Sequence, residues 1–116
     1  MTSRAETGRR AEELAAAFLK SKGFEVVERN FRAKVGEIDV IAKDGDEMVF
    51  VEVRARSGRG FGGAAASVDG AKRRRVIRAA RVWLAARGWD GACRFDVVTL
   101  DSGRLEHLPA AFTADS

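Results

Sequence analysis

The chain has one cysteine and one histidine in 116 residues, and its longest uninterrupted apolar run is LAAAFL, Leu14 to Leu19. Each scarcity excludes something. A lone Cys93 closes no internal disulfide, so a reducing cytoplasm is the expected compartment. His107 has no second His or Cys at ligand spacing and no nucleophile near it in sequence, which argues against zinc and against Ser/His/Asp chemistry. Both residues read as core or surface filler. A bilayer helix needs ~20 apolar residues, so no membrane span is expected. The opening MTSRAETGRRAEE is charged throughout and reads as no secretory signal. No internal repeat or linker interrupts the chain, and at roughly 100–200 residues per domain a single domain over 1–116 is expected. With 46% apolar and 33% charged residues, a disordered or collagen-like chain is excluded.

Charge is present but unevenly spread. Residues 54–87 carry ten cations (Arg54, Arg56, Arg59, Lys72, Arg73, Arg74, Arg75, Arg78, Arg81, Arg87) against Asp69 alone, a window of +9 between flanks of −2 and −3. Nine of the ten are Arg, whose planar fork suits phosphate. A polyanion is the implied partner, and nucleic acid fits better than a membrane surface because the basic segment offers little bulky apolar area for insertion. A solvated helix face is the plain alternative.

Residues 8–22 have helical spacing of Ala11, Leu14, Ala15 and Phe18 and a stop at Gly23. FEVVERNFR, EIDVIA and MVFVEVRAR follow as strands, the last two joined across KDGDE, a hairpin signal. SGRGFGGAAAS, residues 57–67, is a glycine-rich loop. Its GRGFGG matches the dinucleotide fingerprint in letters only, since Arg78 to Trp83 stand where an acid is needed and the chain is short for that fold. Arg59 and Phe61 there are available to a backbone or a base, and Phe61 equally to the core. A second helix with Asp69 as its candidate N-cap runs to Gly88, with Trp83 read as core or interface rather than a base-stacking platform, and CRFDVVTL and RLEHL complete the order αβββαββ. Asp96 shares a face with Arg94, so an ion pair is the simple account and a supporting role in a site the sharper one. This is an α/β chain, a mixed sheet with helices packed on it.

Alternation in VFVEVRAR puts Val49, Val51, Val53 and Ala55 on one face and Phe50, Glu52, Arg54 and Arg56 on the other. A turn centred on Asp44 to Glu47 sets Asp39 opposite Glu52. Carboxylates so opposed stand ~5 Å apart and repel unless a cation lies between them. On the first helix Glu12 shares a stripe with Ala15, Ala16 and Leu19, whereas Glu13 points to solvent. Oxygen-only ligation by Glu12, Asp39 and Glu52 suits magnesium or manganese, with Arg54 beside the ion. The alternative is ordinary salt bridging, Glu52 with Arg54 or Arg56 and Asp39 with a neighbouring cation.

The run from GRRAEELAAAFLKSKGFEVVERNFRAKVGEIDVIAKDGDEMVFVEVRARSGRGF through GAKRRRV, with the later RFDVV and AF, closely resembles the YraN family of small bacterial proteins, from Gly8 to Phe112. That family resembles archaeal Holliday-junction resolvases and the PD-(D/E)XK nucleases, which implies a restriction-endonuclease-like fold. By resemblance GEID supplies Asp39 as one metal-binding acid, VEVR supplies Glu52 as the second, AEE supplies Glu12, and Val53 contributes a backbone carbonyl. The superfamily's lysine two residues after the second acid is Arg54 here. Arginine is effectively never deprotonated, so Arg54 stabilises charge and is no general base, and Lys72 is the candidate displaced lysine.

The resulting expectation is a cytoplasmic Mg²⁺- or Mn²⁺-dependent endonuclease acting on DNA, structure-selective for branched forms, with Glu12, Asp39, Glu52 and Arg54 catalytic. Arg56, Arg59, Lys72, Arg73, Arg74, Arg75 and Arg78 would grip the phosphate backbone. A homodimer would suit a two-fold junction by analogy. The alternatives are a nucleic-acid-binding module that keeps the fold without turnover, or an interaction protein whose basic helix meets an acidic partner.

Overall fold

The structure, a computed structural model, describes residues 4–56 and 70–114. Its elements are α1 (Arg4–Ser21), β1 (Glu25–Ala33), β2 (Gly36–Asp44), β3 (Glu47–Arg56), α2 (Gly70–Arg87), β4 (Cys93–Asp101) and β5 (Arg104–Phe112). The expected order holds. Asp69, Arg59, Phe61 and the glycine-rich loop lie outside the described residues.

Both helices end where their glycines stand, for the same reason. At α1, Gly23 takes φ 96°, its N–H donates to the Lys20 carbonyl, and the Phe24 N–H donates to Leu19. At α2, Gly88 takes φ 67°, its N–H donates to Ala85, and Trp89 donates to Leu84. This closure satisfies carbonyls that the helix leaves orphaned and needs a left-handed residue, which glycine adopts without a Cβ penalty.

The strands form one mixed sheet in the order β1-β2-β3-β4-β5. Asp44 pairs with Glu47, leaving Gly45 and Asp46 as a two-residue loop, and Ser102 and Gly103 turn β4 into β5 with φ 53° and 79°. β3 and β4 run parallel, Phe50 beside Phe95 and Glu52 beside Val97, with α2 in the crossover between them. Both sheet faces are covered. α1 lays Ala11, Ala15 and Leu19 on Val40, Val51, Val53 and Val98. α2 lays Val76, Ile77, Ala80 and Trp83 on Ile38, Phe50, Phe95 and Val97. The expected alternation of β3 is thus observed, and Trp83 is core, its indole N–H donating to Glu28 at 2.9 Å. Among the described residues no helix is long and apolar enough to cross a membrane.

His107 is not the partnerless residue that sequence spacing implied. Its Nε2 lies 2.7 Å from Asp96 Oδ2, and its Nδ1 lies 2.7 Å from Lys22 Nζ. Asp96, fully buried, also takes the Arg94 guanidinium at 3.0 Å and the Ala110 N–H at 2.9 Å. Ala110 reaches it by adopting φ 50° where the β4–β5 register slips. Arg94 continues the network to Asp44 and Glu47. Asp96→Asn keeps the shape and removes the charge that this network surrounds. It is expected to cost about 2 kcal/mol, read as a lower denaturation midpoint at unchanged m-value.

Candidate active site

Strand β2 parts from β3 at the acids. Their ladder runs from Asp44 and Glu47 to Val40 and Val51. Beyond it, Asp39 uses its side chain where a strand would use its backbone, and Oδ2 accepts the Val53 N–H at 2.9 Å. The predicted opposition of Asp39 and Glu52 therefore becomes a splay, with the Asp39 carboxylate turned onto β3. On the other side, β1 follows the same bend. Arg29 pairs with Val40 and Phe31 with Ile38, so Asn30 stands across from Asp39, and it does so at φ 56°. Asn is one of the few residues that tolerate this conformation.

Glu52 projects toward α2, its side chain 2% exposed. Lys72 Nζ lies 3.2 Å from Oε1, whereas Oε2 is buried with no hydrogen-bond donor among the described residues. Burial and the neighbouring Asp39 charge push the Glu52 carboxyl up to about 8, against the pull of Lys72. Burial also raises Asp39, opposed by the Val53 N–H and Lys72. Glu12, half-buried on α1, is raised by burial and by the Asp39 charge, and is held down by a hydrogen bond with Asn30 and by Arg29 and Arg32. Glu13 is exposed, as expected.

A cleft of about 210 Å³ is walled by Glu12, Asn30, Phe31, Arg32, Glu37, Ile38 and Asp39. Glu52 lies outside those walls, behind Asp39. The three predicted acids thus form a chain through Asp39, and among the described residues no three His, Cys, Asp or Glu side chains gather closely enough to hold one ion.

Lys72 is where the site and α2 meet. Its ammonium bridges Glu52 at 3.2 Å and Glu37 at 3.4 Å, and Arg75 adds a second contact to Glu37 at 3.3 Å. Arg54 is half-buried two residues beyond Glu52 on the same face. Of the other basic candidates, Arg73 lies over the Phe112 ring at 5.6 Å, while Arg74, Arg75 and Arg78 are exposed. The side chain of Arg56 falls outside the described residues.

Sequence reasoning did not single out Asn30 or Glu37. For Asn30 a signal existed, because Asn is depleted in strand interiors and signals a left-handed residue there. The burial of Lys72 was also readable: it precedes Val76 by four and Ala80 by eight, which puts it on the stripe facing the sheet.

A family model described as uncharacterised protein family UPF0102 matches residues 11–100. The chain belongs to this family. The matched span carries Glu12, Asp39, Glu52 and Lys72, and UPF0102 is the YraN family that the sequence resembled. Among its relatives, a UPF0102 protein of Cupriavidus taiwanensis is 55% identical over 98% of this chain and 88% of its own. One from Dechloromonas aromatica is 52% identical over 93% of this chain and 89% of its own. One from Nitrosomonas europaea is 48% identical over 93% and 92%. This UPF0102 chain therefore spans most of the length of those relatives.

Proposed function

We propose that the protein is a metal-dependent DNA endonuclease with a restriction-endonuclease-like fold, its site built on Asp39, Glu52 and Lys72. The observation that carries this reading is the buried Glu52 Oε2, without a hydrogen-bond donor among the described residues, beside the half-buried Asp39 at the point where two strands part. A carboxylate oxygen so placed costs free energy unless a proton shared with Asp39 or a cation completes it. An all-oxygen donor set fits Mg²⁺ or Mn²⁺. Asp39 and Glu52 would hold the ion, with Glu12 at the cleft side and the Val53 carbonyl that the YraN resemblance implies. Once held, such an ion supplies charge neutralisation at a phosphoryl group.

The chain's own cations do the rest. Lys72 reaches the Glu52 carboxylate from α2 and takes the place of the strand lysine that Arg54 replaces. Its ammonium is positioned to donate to a phosphoryl oxygen. Arg54, permanently charged, stabilises the negative charge that develops there. A second reading, a DNA-binding module of the same fold without turnover, is favoured by one observation: Lys72 is engaged by two carboxylates at once.

The test is cleavage of labelled linear, flapped and four-way-junction DNA in Mg²⁺ and in Mn²⁺. Metal-dependent product is expected from the unaltered protein. Asp39→Ala should lower the rate by about 10³-fold, and Lys72→Met by roughly 10- to 100-fold with DNA affinity nearly kept. Product that persists in Asp39→Ala overturns the site. A gel shift without product in either metal selects the binding module.

A further inference from the structure

The strongly basic window from Arg54 to Arg87 pointed to α2 as the DNA-contacting element, yet the cation that lines the cleft, Arg32, belongs to β1. Lys72 and Arg75 are both tied to Glu37, Lys72 also to Glu52, and Arg87 is bound to Glu28. Arg74 and Arg78 are exposed, and their spacing from Val76, Ile77 and Ala80 sets them on the outer side of α2, away from the sheet.

β1, by contrast, is an edge of the sheet and borders the cleft directly. In a regular strand Arg29 and Arg32 would point to opposite faces, because their separation is odd. Asn30, left-handed at φ 56°, breaks that alternation between them. Arg32 then lines the cleft with Glu12 and Asp39, and both arginines act on the Glu12 carboxyl. Both are exposed, and neither forms a salt bridge among the described residues.

We propose that Arg29 and Arg32 on edge strand β1 grip the phosphate backbone of a DNA strand and guide it into the cleft beside Asp39. The proposal rests on the nuclease reading above and names its substrate track. Guanidinium forks match phosphate oxygens in pairs, and Arg32 in the wall of the acid cleft, with Arg29 next to the cleft-lining Asn30 on the same strand, holds a phosphodiester against the acids that otherwise repel it.

The experiment is fluorescence anisotropy of labelled single-stranded and duplex DNA across a salt series, with Ca²⁺ replacing Mg²⁺. Arg29→Gln/Arg32→Gln is compared with Arg74→Gln/Arg78→Gln, which removes the same charge from α2. All four side chains are exposed, and thermal melts confirm folding. The β1 pair should weaken binding at least about 10-fold and flatten the salt slope by about 1–2, while the α2 pair changes affinity by less than about 3-fold. Equal losses, or a larger loss from α2, overturn the proposal and leave the nuclease reading standing. Competition by polyglutamate as effective as by unlabelled DNA overturns it as well. An unaltered protein with no DNA affinity at low salt overturns both.

Discussion

Replacing Glu52 with Gln is expected to stabilise the metal-free protein above pH 7 while abolishing its response to divalent metal. The two effects share one cause. In the unfolded chain this carboxyl titrates near 4.5, and in the folded protein burial and Asp39 raise it to about 8. Between those values the native state binds a proton that the unfolded state has released, so stability is full at low pH and falls as pH rises through the window. Asp39 and Glu12 are raised too, and they act with the same sign. Glutamine carries no charge to bury, and its amide gives the site of the unpartnered oxygen a donor beside the Asp39 carboxylate. At pH 8 the variant should gain roughly 2–4 kcal/mol over the unaltered protein, and near pH 5 little. Mn²⁺ should restore the unaltered protein at pH 8 and leave Glu52→Gln unmoved, with cleavage lower by about 10³-fold, the equivalent of several kcal/mol of transition-state stabilisation. Thermal melts at pH 5 and 8, with and without Mn²⁺, decide it. A melting temperature of the unaltered protein that is flat in pH, or a Mn²⁺ response retained by the variant, sinks the assignment.

Local rules carried the sequence reading as far as each element and its turns. Periodicity marked both helices, Gly23 and Gly88 marked their ends, and the spacing across Asp44 to Glu47 set a register that the Val40–Val51 pair confirms. That register alone brings Asp39 and Glu52 together across the hairpin. What could not be read depends on separations that no local rule spans. Lys72 reaches Glu52 across 20 residues of sequence, and His107 finds Asp96 only because β5 folds back on β4. The parallel pairing of β3 with β4 is likewise a tertiary choice. The departure at Asp39 is subtler. Strict alternation would continue the ladder one residue further, and the left-handed Asn30 across from it is the backbone irregularity that ends the pattern. A rule built on regular strands misses a site made by breaking one.

Gly36→Ala is expected to damage both the fold and the site, by one added methyl group. Gly36 opens β2 and is buried under α2, and a Cβ there would run into the Arg75 carbonyl oxygen and stand 2.7 Å from its carbon. Backbone atoms in a packed helix have no rotamer to retreat into, so the helix itself must move. The first turns of α2 carry Lys72 and Arg75, the two cations that hold Glu37, and Lys72 is also the partner of the buried Glu52. Lifting α2 from Gly36 lengthens those contacts together and leaves Glu52 less compensated. The cost should reach on the order of 4 kcal/mol, twice that of Asp96→Asn, and rank among the largest for a single substitution. The measurement is chemical denaturation of the two variants side by side. Because Gly36 has no left-handed φ, the loss comes from the contact with α2 alone. Trimming the Arg75 side chain, as in Arg75→Ala, leaves that carbonyl in place and should not rescue Gly36→Ala. A Gly36→Ala protein as stable as the unaltered one would overturn the close approach of α2 to Gly36, and with it the support of the Lys72–Glu52 bridge.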